Sequence, residues 1–302
     1  MAFTPFPTHD IFKAYSLARE ALSQGKNMIA TLRETTDLPH ARCVEIAYAL
    51  QSGSYTATKD SDIARAYRAA VHDIVVPLCQ SHHVETVFDC GTGEGNMWCD
   101  FPHKLSHFVG LDLSLHRLLW AARNLQDAPF NKTTLCKGDM ASLPLSEHSF
   151  DLVVTMHALE PNARASDLIP ALAARTRDLL VLFEPNYREA SPAQRQRMEA
   201  MGYARDIWEC AEALSDFEVL ASAPLDVTIR ADNQTYILIL KRKTPLARTD
   251  FAWQNPLTHS PLLDVDGSLV DEEGCFFFPK FKDIFCLAPE DAVFAGLSPQ
   301  SS

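Results

Sequence analysis

The sequence contains no apolar run that approaches the roughly 20 residues a membrane-spanning helix needs. Its N-terminus, MAFTPFPTHD, lacks a basic region followed by an apolar stretch, which a secretory signal would show. We therefore expect neither a membrane span nor a secretory signal, and we expect a cytoplasmic protein.

Basic charge and closely paired cysteines are also scarce. The net charge is −12, with 27 Lys and Arg residues against 39 Asp and Glu residues. Proteins that bind long nucleic acids usually carry a basic face, so we expect a small-molecule acceptor and no nucleic-acid partner. The eight cysteines form no C-x-x-C pair, which predicts reduced, buried thiols.

Three regions with different patterns follow one another along the chain. Residues 1–83 have apolar residues at helical spacing, which predicts a helical N-terminal extension. Residues 84–243 alternate short apolar runs with helix-compatible segments. Residues 244–302 carry short apolar pieces separated by prolines, which predicts a small, mostly β appendage.

The central region contains seven strand candidates. The first five are short apolar runs, which is typical of parallel strands covered on both faces, and their alternation with helices predicts a doubly wound α/β sheet. Only a turn at 230–233 separates the last two, which predicts an edge hairpin and a mixed sheet. The candidates are 86–90, 107–113, 133–139, 150–157, 178–185, 217–225 and 234–242.

A glycine-rich loop follows the first strand, in the segment VFDCGTGEGNMW at 87–98. Asp89 ends the strand, and Gly91, Gly93 and Gly95 follow at alternate positions. Glycines allow a tight turn and close approach of a ligand to the backbone. We expect a helix to begin after the loop, with its N–H groups toward an anionic carboxylate.

Acidic residues also end the next two strands. Asp112, followed by Leu113, could accept hydrogen bonds from both hydroxyls of a ribose. Asp139 could accept from an adenine amino group, and Met140 could cover the adenine face. In a doubly wound sheet all of these residues would lie at the carboxyl edge, where ligands bind.

This series of motifs resembles the class I S-adenosylmethionine-dependent methyltransferase family over about half of the chain. The resemblance implies a Rossmann-like fold, methyl transfer, and S-adenosylmethionine as the cofactor. A dinucleotide dehydrogenase would instead show Gly-x-Gly-x-x-Gly, whereas here the third glycine comes one residue earlier. The cofactor-binding residues that we predict are Tyr55, Asp89, Gly91, Gly93, Gly95, Asp112, Leu113, Asp139, Met140 and His157.

The candidate catalytic residues follow the fourth and fifth strands. Methyl transfer from a sulfonium mainly needs alignment and exclusion of water, and a base only if the acceptor arrives protonated. His157 could be that base, with Glu160 nearby, or it could only pack beside the donor. Glu184 and Tyr187 are the other candidates, because an ionised Glu184 at the end of an apolar strand is costly unless it is used or paired.

The segment after the fourth strand also restricts the acceptor. Family members that act on planar amide or adenine nitrogens carry Asn/Asp-Pro-Pro-Tyr/Phe there. This chain reads His-Ala-Leu-Glu-Pro-Asn at 157–162, which argues against those acceptors.

The segment from Tyr48 to Tyr55 lies between two predicted helices and contains Gly and Ser. Family members often place an N-terminal lid here, so this segment could close over the donor as a loop. An ordinary helix connection with packed tyrosines is the alternative.

The C-terminal segment is similar to a small zinc-binding activator subunit that partners tRNA, rRNA and release-factor methyltransferases. The shared features are Ser260-Pro261-Leu262, Gly267, Leu269-Val270, Phe278-Pro279 and Asp283-Ile284. The activator's Cys-Pro-x-Cys is replaced by Asn-Pro-Leu-Thr at 255–258, and two cysteines alone do not complete a tetrahedral site. We expect no metal, and an appendage that supports the catalytic domain or shapes its pocket.

The leading functional prediction is methylation of a small, largely uncharged or aromatic molecule, as in secondary metabolism. One alternative is an RNA or protein methyltransferase with a fused activator-like domain. The other is a non-catalytic protein that binds the cofactor or acts as a scaffold.

Overall fold

The computed structural model describes residues 8–162, 165–244, 246–247, 249–272 and 275–294. Its helices are α1 (Thr8–Ser23), α2 (Met28–Thr35), α3 (His40–Gln51), α4 (Ser54–Thr58), α5 (Asp62–Ser81), α6 (Leu115–Asn124), α7 (Ala165–Arg175), α8 (Pro192–Met201) and α9 (Ile207–Glu212). The first seven strands are β1 (Thr86–Cys90), β2 (His107–Asp112), β3 (Thr133–Lys137), β4 (Phe150–Met156), β5 (Thr176–Glu184), β6 (Phe217–Pro224) and β7 (Tyr236–Arg242). The remaining strands are β8 (Leu262–Val265), β9 (Ser268–Asp271), β10 (Phe276–Phe278), β11 (Lys280–Phe281), β12 (Ile284–Cys286) and β13 (Val293–Phe294).

The main sheet contains all seven predicted strands, in the order β3-β2-β1-β4-β5-β7-β6. The first five strands are parallel, and β7 pairs antiparallel with both β5 and β6. The predicted mixed α/β fold with an edge hairpin is therefore confirmed. Because β7 runs the other way, its first residues lie at the same sheet edge as the carboxyl ends of the parallel strands.

Apolar layers cover both faces of this sheet. One layer contains side chains of α5 and α6, such as Val71 and Leu118, and the other contains side chains of α7 and α9, such as Leu172 and Trp208. Since both faces are covered, the central strands carry apolar residues at consecutive positions, as the sequence indicated.

The prediction of a helix directly after the glycine loop was wrong. Residues 91–100 form successive turns, in which Gly95 N donates to Thr92 O and Trp98 N donates to Gly95 O. Trp98 and Phe101 are buried in the apolar layer beneath α5. These two aromatic side chains cover the sheet face that a helix would otherwise cover, so the loop offers no helix N-terminus to a ligand.

The N-terminal region is helical and its first three helices pack around their own small apolar cluster. The prediction of a loop from Tyr48 to Tyr55 was wrong, because Tyr48 belongs to α3 and Tyr55 to α4. Only Ser52 and Gly53 separate the two helices, and Gly53 has a positive φ of 88°. The left-handed conformation of Gly53 reverses the chain direction so that α4 returns toward the glycine loop.

The appendage joins the main sheet instead of forming a separate body. Strand β12 pairs parallel with β3, and β11 pairs antiparallel with β12, which extends the predicted seven strands to nine. The other four strands form a small antiparallel sheet in the order β13-β10-β9-β8. Leu262, Leu269 and Phe278 enter the apolar layer of α7, so the appendage shares the core.

Among the described residues, no helix is long and apolar enough to cross a bilayer, and no group of three or more His, Cys, Asp or Glu side chains could hold a metal. Five of the eight cysteines are buried, and the thiols of Cys43, Cys79, Cys90, Cys99, Cys136, Cys210 and Cys286 are free. The absence of zinc, the resemblance of the appendage to an activator, and the domain boundaries at 83 and 243 stay predictions.

Candidate functional site

A cavity of about 660 Å³ lies at the carboxyl edge of the main sheet. The ends of β1, β2 and β4 form its floor, together with the glycine loop and Gly138 after β3. Residues of α2, α3 and α4 form the opposite wall, and residues 229–235 before β7 close one side. Strand ends that lie far apart in the sequence therefore meet around one partly open cavity.

The three glycines of the loop are required by the backbone, because Gly91, Gly93 and Gly95 have φ values of +88°, +57° and +70°. Gly91 and Gly93 line the cavity. A Cβ on Gly91 would come within 2.3 Å of the Ala158 Cβ, so the loop packs directly on the turn after β4. Gly95 does not line the cavity and packs against Leu125, directly after α6.

Asp89 lies on the cavity floor and is 4% exposed. Its Oδ2 accepts a hydrogen bond of 2.7 Å from Trp98 Nε1. Burial raises the pKa of Asp89 to about 6, although the bond from Trp98 lowers it. The same bond holds the Trp98 indole, which covers the sheet face where the expected helix would have packed.

Asp112 accepts one backbone hydrogen bond on each oxygen. Oδ2 accepts from Gly93 N at 2.9 Å and Oδ1 accepts from Ser114 N at 2.8 Å. A carboxylate has about four acceptor positions, so about two remain for a ligand. Asp112 and Leu113 both line the cavity, in the place expected for a ribose.

The structure separates the two residues predicted to contact adenine. Met140 is buried and lines the cavity. Asp139 does not line it, and its Oδ1 accepts from Ala141 N at 2.9 Å at the start of a short 3₁₀ turn. The predicted role of Asp139 in adenine binding is therefore not supported by its position, because its carboxylate caps this turn.

His157 lines the cavity directly after β4 and has a positive φ of 50°. Its Nδ1 lies 3.2 Å from Glu160 Oε2, and its Nε2 lies 2.7 Å from Thr235 Oγ1. The hydroxyl of buried Tyr67 lies 3.0 Å from the same Thr235 oxygen. Burial lowers the pKa of His157, but Glu160 and Glu184 outweigh this and raise it above its ordinary value.

Glu184 lies behind the cavity wall, not on it. It is completely buried, and its carboxylate accepts from the backbone N–H groups of Ala158, Leu159 and Glu160 at 2.9, 3.0 and 3.3 Å. Burial raises its pKa to about 7, although His157 lowers it. Contrary to the prediction of a catalytic residue, its position fits a residue that holds the turn carrying His157.

Tyr187 lies outside the cavity. Its hydroxyl donates to Glu199 Oε1 at 2.5 Å, and the guanidinium groups of Arg195 and Arg205 each lie 5.6 Å from its ring centre. The predicted catalytic role of Tyr187 is therefore not supported, because the chain turns away from the sheet edge after β5.

Tyr55 lines the cavity from α4 and is 49% exposed. Buried Glu94 holds α4 in place, because its carboxylate accepts from Gly53 N, Thr56 N and Thr56 Oγ1 at 2.8, 2.7 and 2.5 Å. The guanidinium of Arg117 lies 4.8 Å from the Tyr55 ring centre. The glycine loop therefore holds the short helix that covers it.

Several cavity residues were missed from the sequence. Arg117 lies over Gly93 and 4.7 Å from the Tyr48 ring centre, Glu94 anchors α4, and Thr235 faces His157. Glu94 could have been suspected from its place inside the glycine loop. Thr235 is distant in sequence and no motif marks it.

Comparison with known proteins agrees with this geometry. Residues 87–180 match the family model described as the methyltransferase domain. No curated protein matches the chain. The CurJ carbon methyltransferase is 13% identical with a TM-score of 0.51, over 78% of this chain and 67% of that chain.

Two further structures are similar at lower TM-scores. Magnesium protoporphyrin IX methyltransferase from Synechocystis PCC 6803 with bound SAH is 20% identical, with a TM-score of 0.47 over 60% of this chain and 85% of that chain. The N-methyltransferase NodS from Bradyrhizobium japonicum WM9 is 12% identical, with a TM-score of 0.49 over 62% and 91%.

The chain carries a class I, Rossmann-like methyltransferase domain. The matched domain supports the predictions of a methyltransferase and of S-adenosylmethionine as its cofactor.

Proposed function

We propose that this enzyme transfers a methyl group from S-adenosylmethionine to a small-molecule acceptor inside the cavity, in a biosynthetic reaction. The observation that carries the proposal is one partly open cavity that Asp112, the glycine loop and His157 all line. Its volume of about 660 Å³ is that of a small-molecule site, and helices cover it.

The residues at the β1 and β2 end fit the donor. The left-handed backbone of Gly93 directs its N–H to Asp112, and the lack of a side chain leaves room for the Arg117 guanidinium beside the loop. Asp112 keeps acceptor positions for two ribose hydroxyls, and Met140 offers an apolar face to adenine. Asp89 and Asp112 also give this end acidic character, which suits a cationic ligand.

The remaining residues align the acceptor and keep water out. Bound S-adenosylmethionine supplies a methyl group on a sulfonium for in-line displacement. Tyr55 and α4 cover the cofactor end, while His157 faces the space beside it. For an acceptor that arrives protonated, His157 takes the proton, and Glu160 stabilises the resulting imidazolium.

The experiment measures donor binding and turnover separately. We expect calorimetry to show SAH binding, and we expect labelled S-adenosylmethionine to transfer its methyl group to compounds in a small-molecule cell extract. His157→Gln should lower turnover by about 10²-fold or more while SAH affinity changes less than about threefold. Unchanged turnover would assign His157 only to packing beside the donor.

Two outcomes would favour the alternative functions. Binding of total tRNA at sub-micromolar concentration in about 150 mM salt, with loss at higher salt, would favour an RNA methyltransferase. SAH binding without transfer to extract compounds, RNA or protein would favour a cofactor-binding scaffold. The seven free cysteines other than Cys275 support a reducing, cytoplasmic location as part of this proposal.

A further inference from the structure

The acceptor half of the cavity carries basic side chains that the reaction itself does not require. Arg197 of α8 and Arg230 before β7 line it, and Lys26 between α1 and α2 lies on the same wall. We propose that this half binds an acceptor with a carboxylate, and that Arg197 is the residue that recognises it. The proposal rests on the small-molecule methyl transfer proposed above.

The sheet order separates these arginines from the donor. The segment with Arg230 precedes β7, which lies three strands from β1 and four from β2. At about 4.8 Å between strands, the start of β7 is about 14 Å from the end of β1. His157 follows β4, which lies between them. A molecule that contacts Arg197 can therefore present another of its atoms near His157.

The hydrogen bonds of Arg197 leave part of its guanidinium unused. Nη1 donates to Asn233 Oδ1 at 2.9 Å, and Nη2 makes only a long contact of 3.4 Å with the Tyr203 hydroxyl. Nε is buried and has no hydrogen-bond partner among the described residues. Its nearest acid, Asp232, is 3.8 Å away. The Nε and Nη2 edge is the one that a carboxylate can bind with two parallel bonds.

Arg230 explains why Asp232 does not satisfy Arg197. Both Nε and Nη2 of Arg230 donate to Asp232, each at 3.1 Å. The side chain of Arg197 is 13% exposed, whereas that of Asp232 is 41% exposed. Asp232 is therefore shared by two arginines and held toward solvent by one of them.

The charges of the two halves differ in sign. The acceptor half holds three positive charges, on Arg197, Arg230 and Lys26. Asp232 and Glu160 offset two of them, which leaves a net positive charge while His157 is neutral. A monoanion would neutralise it. The ring of Tyr203 lines this half, and the rings of Tyr48 and Tyr55 lie between it and the cofactor end, beside Arg117, which favours a planar acid. The acceptor expected from the sequence was largely uncharged or aromatic, and an aromatic carboxylic acid keeps the aromatic alternative and adds a charge.

The test compares acids with their neutral amides on protein saturated with SAH. Three pairs are titrated by calorimetry: benzoate and benzamide, 4-hydroxybenzoate and 4-hydroxybenzamide, and indole-3-acetate and indole-3-acetamide. We expect at least one acid to bind about 10-fold more tightly than its amide, because only the acid forms charge-assisted bonds. Arg197→Gln should reduce this preference below about twofold.

Arg195→Gln is the matched control, because Arg195 lies on the same helix, is exposed and does not line the cavity. It should keep the preference. Asp232→Asn provides a second test on an exposed residue, and it should tighten binding of the acid about threefold by removing the competing carboxylate. No preference for any acid, or a preference that survives Arg197→Gln, would overturn the proposal. Failure of SAH to bind would instead overturn the proposed function.

Discussion

The buried carboxyl group of Glu184 should make the stability of this enzyme depend on pH. Its pKa is about 7 in the folded protein against 4.5 for an ordinary glutamate. At about 1.4 kcal/mol per pKa unit, the shift corresponds to about 3 kcal/mol. The folded state holds the proton more tightly, so stability falls as pH rises between about 4.5 and 7 and is lowest above that window.

Two substitutions separate the charge of Glu184 from its hydrogen bonds. Glu184→Gln keeps a carbonyl oxygen for Ala158 N and Leu159 N, which both donate to Oε1. It removes the titrating group, so its stability relative to the native protein should improve by about 2–3 kcal/mol between pH 5 and pH 8. Glu184→Ala leaves three backbone N–H groups without an acceptor and should lower the free energy of unfolding by about 3 kcal/mol or more at either pH.

The assay is urea unfolding of the native protein and both variants at about pH 5 and about pH 8. The pKa values of His157 and Glu184 depend on each other, so the same comparison is repeated in a His157→Gln background, which isolates Glu184. A difference between native protein and Glu184→Gln that does not change with pH would refute the shifted pKa. A loss of turnover of about 100-fold in Glu184→Gln, with SAH affinity unchanged, would restore the direct catalytic role predicted from the sequence.

Two further substitutions test the donor site and the appendage. Asp112→Ala should weaken SAH binding by about 1–3 kcal/mol in calorimetry, because the hydrogen bonds of Asp112 to the ribose are lost. Asp139→Asn is the comparison and should change the SAH affinity less than about twofold. Equal losses of SAH affinity in the two variants would show that Asp139 does bind the adenine. Lys137→Met should lower the free energy of unfolding, measured in urea, by about 3 kcal/mol, because it leaves two carboxylates without their cation. Lys137 Nζ lies 2.8 Å from Asp291 and 3.5 Å from Glu45, and its side chain is 6% exposed. Lys132 is exposed, and Lys132→Met is the control, which should lower the free energy of unfolding by less than about 0.5 kcal/mol. A similar loss for Lys137→Met and Lys132→Met would show that the ion pairs of Lys137, which connect β3 to α3 and to the appendage, do not stabilise the protein.

The sequence by itself determined the order of the strands along the chain and several residues on the glycine-loop side of the cavity. Strand periodicity, the three glycines and Asp112 are local signals, because a buried parallel strand and a left-handed turn depend mainly on neighbouring residues. The sequence did not determine what covers the sheet after Gly95. Trp98 and Phe101 take that place, and their packing depends on α5, which lies earlier in the chain.

Only the tertiary structure decided which polar residues face the cavity. Glu184 and Tyr187 both lie at the end of β5 and were equivalent candidates in the sequence. In the structure the Glu184 carboxylate accepts hydrogen bonds from the turn after β4, whereas the Tyr187 ring lies beside arginine side chains at the surface. The partner of His157 is Thr235, and the partner of Arg197 is Asn233. These pairs form because β7 returns antiparallel beside β5, which brings residues about 40 and 80 positions apart to one sheet edge. Such pairs follow from the topology of the sheet, so no local sequence pattern indicates them.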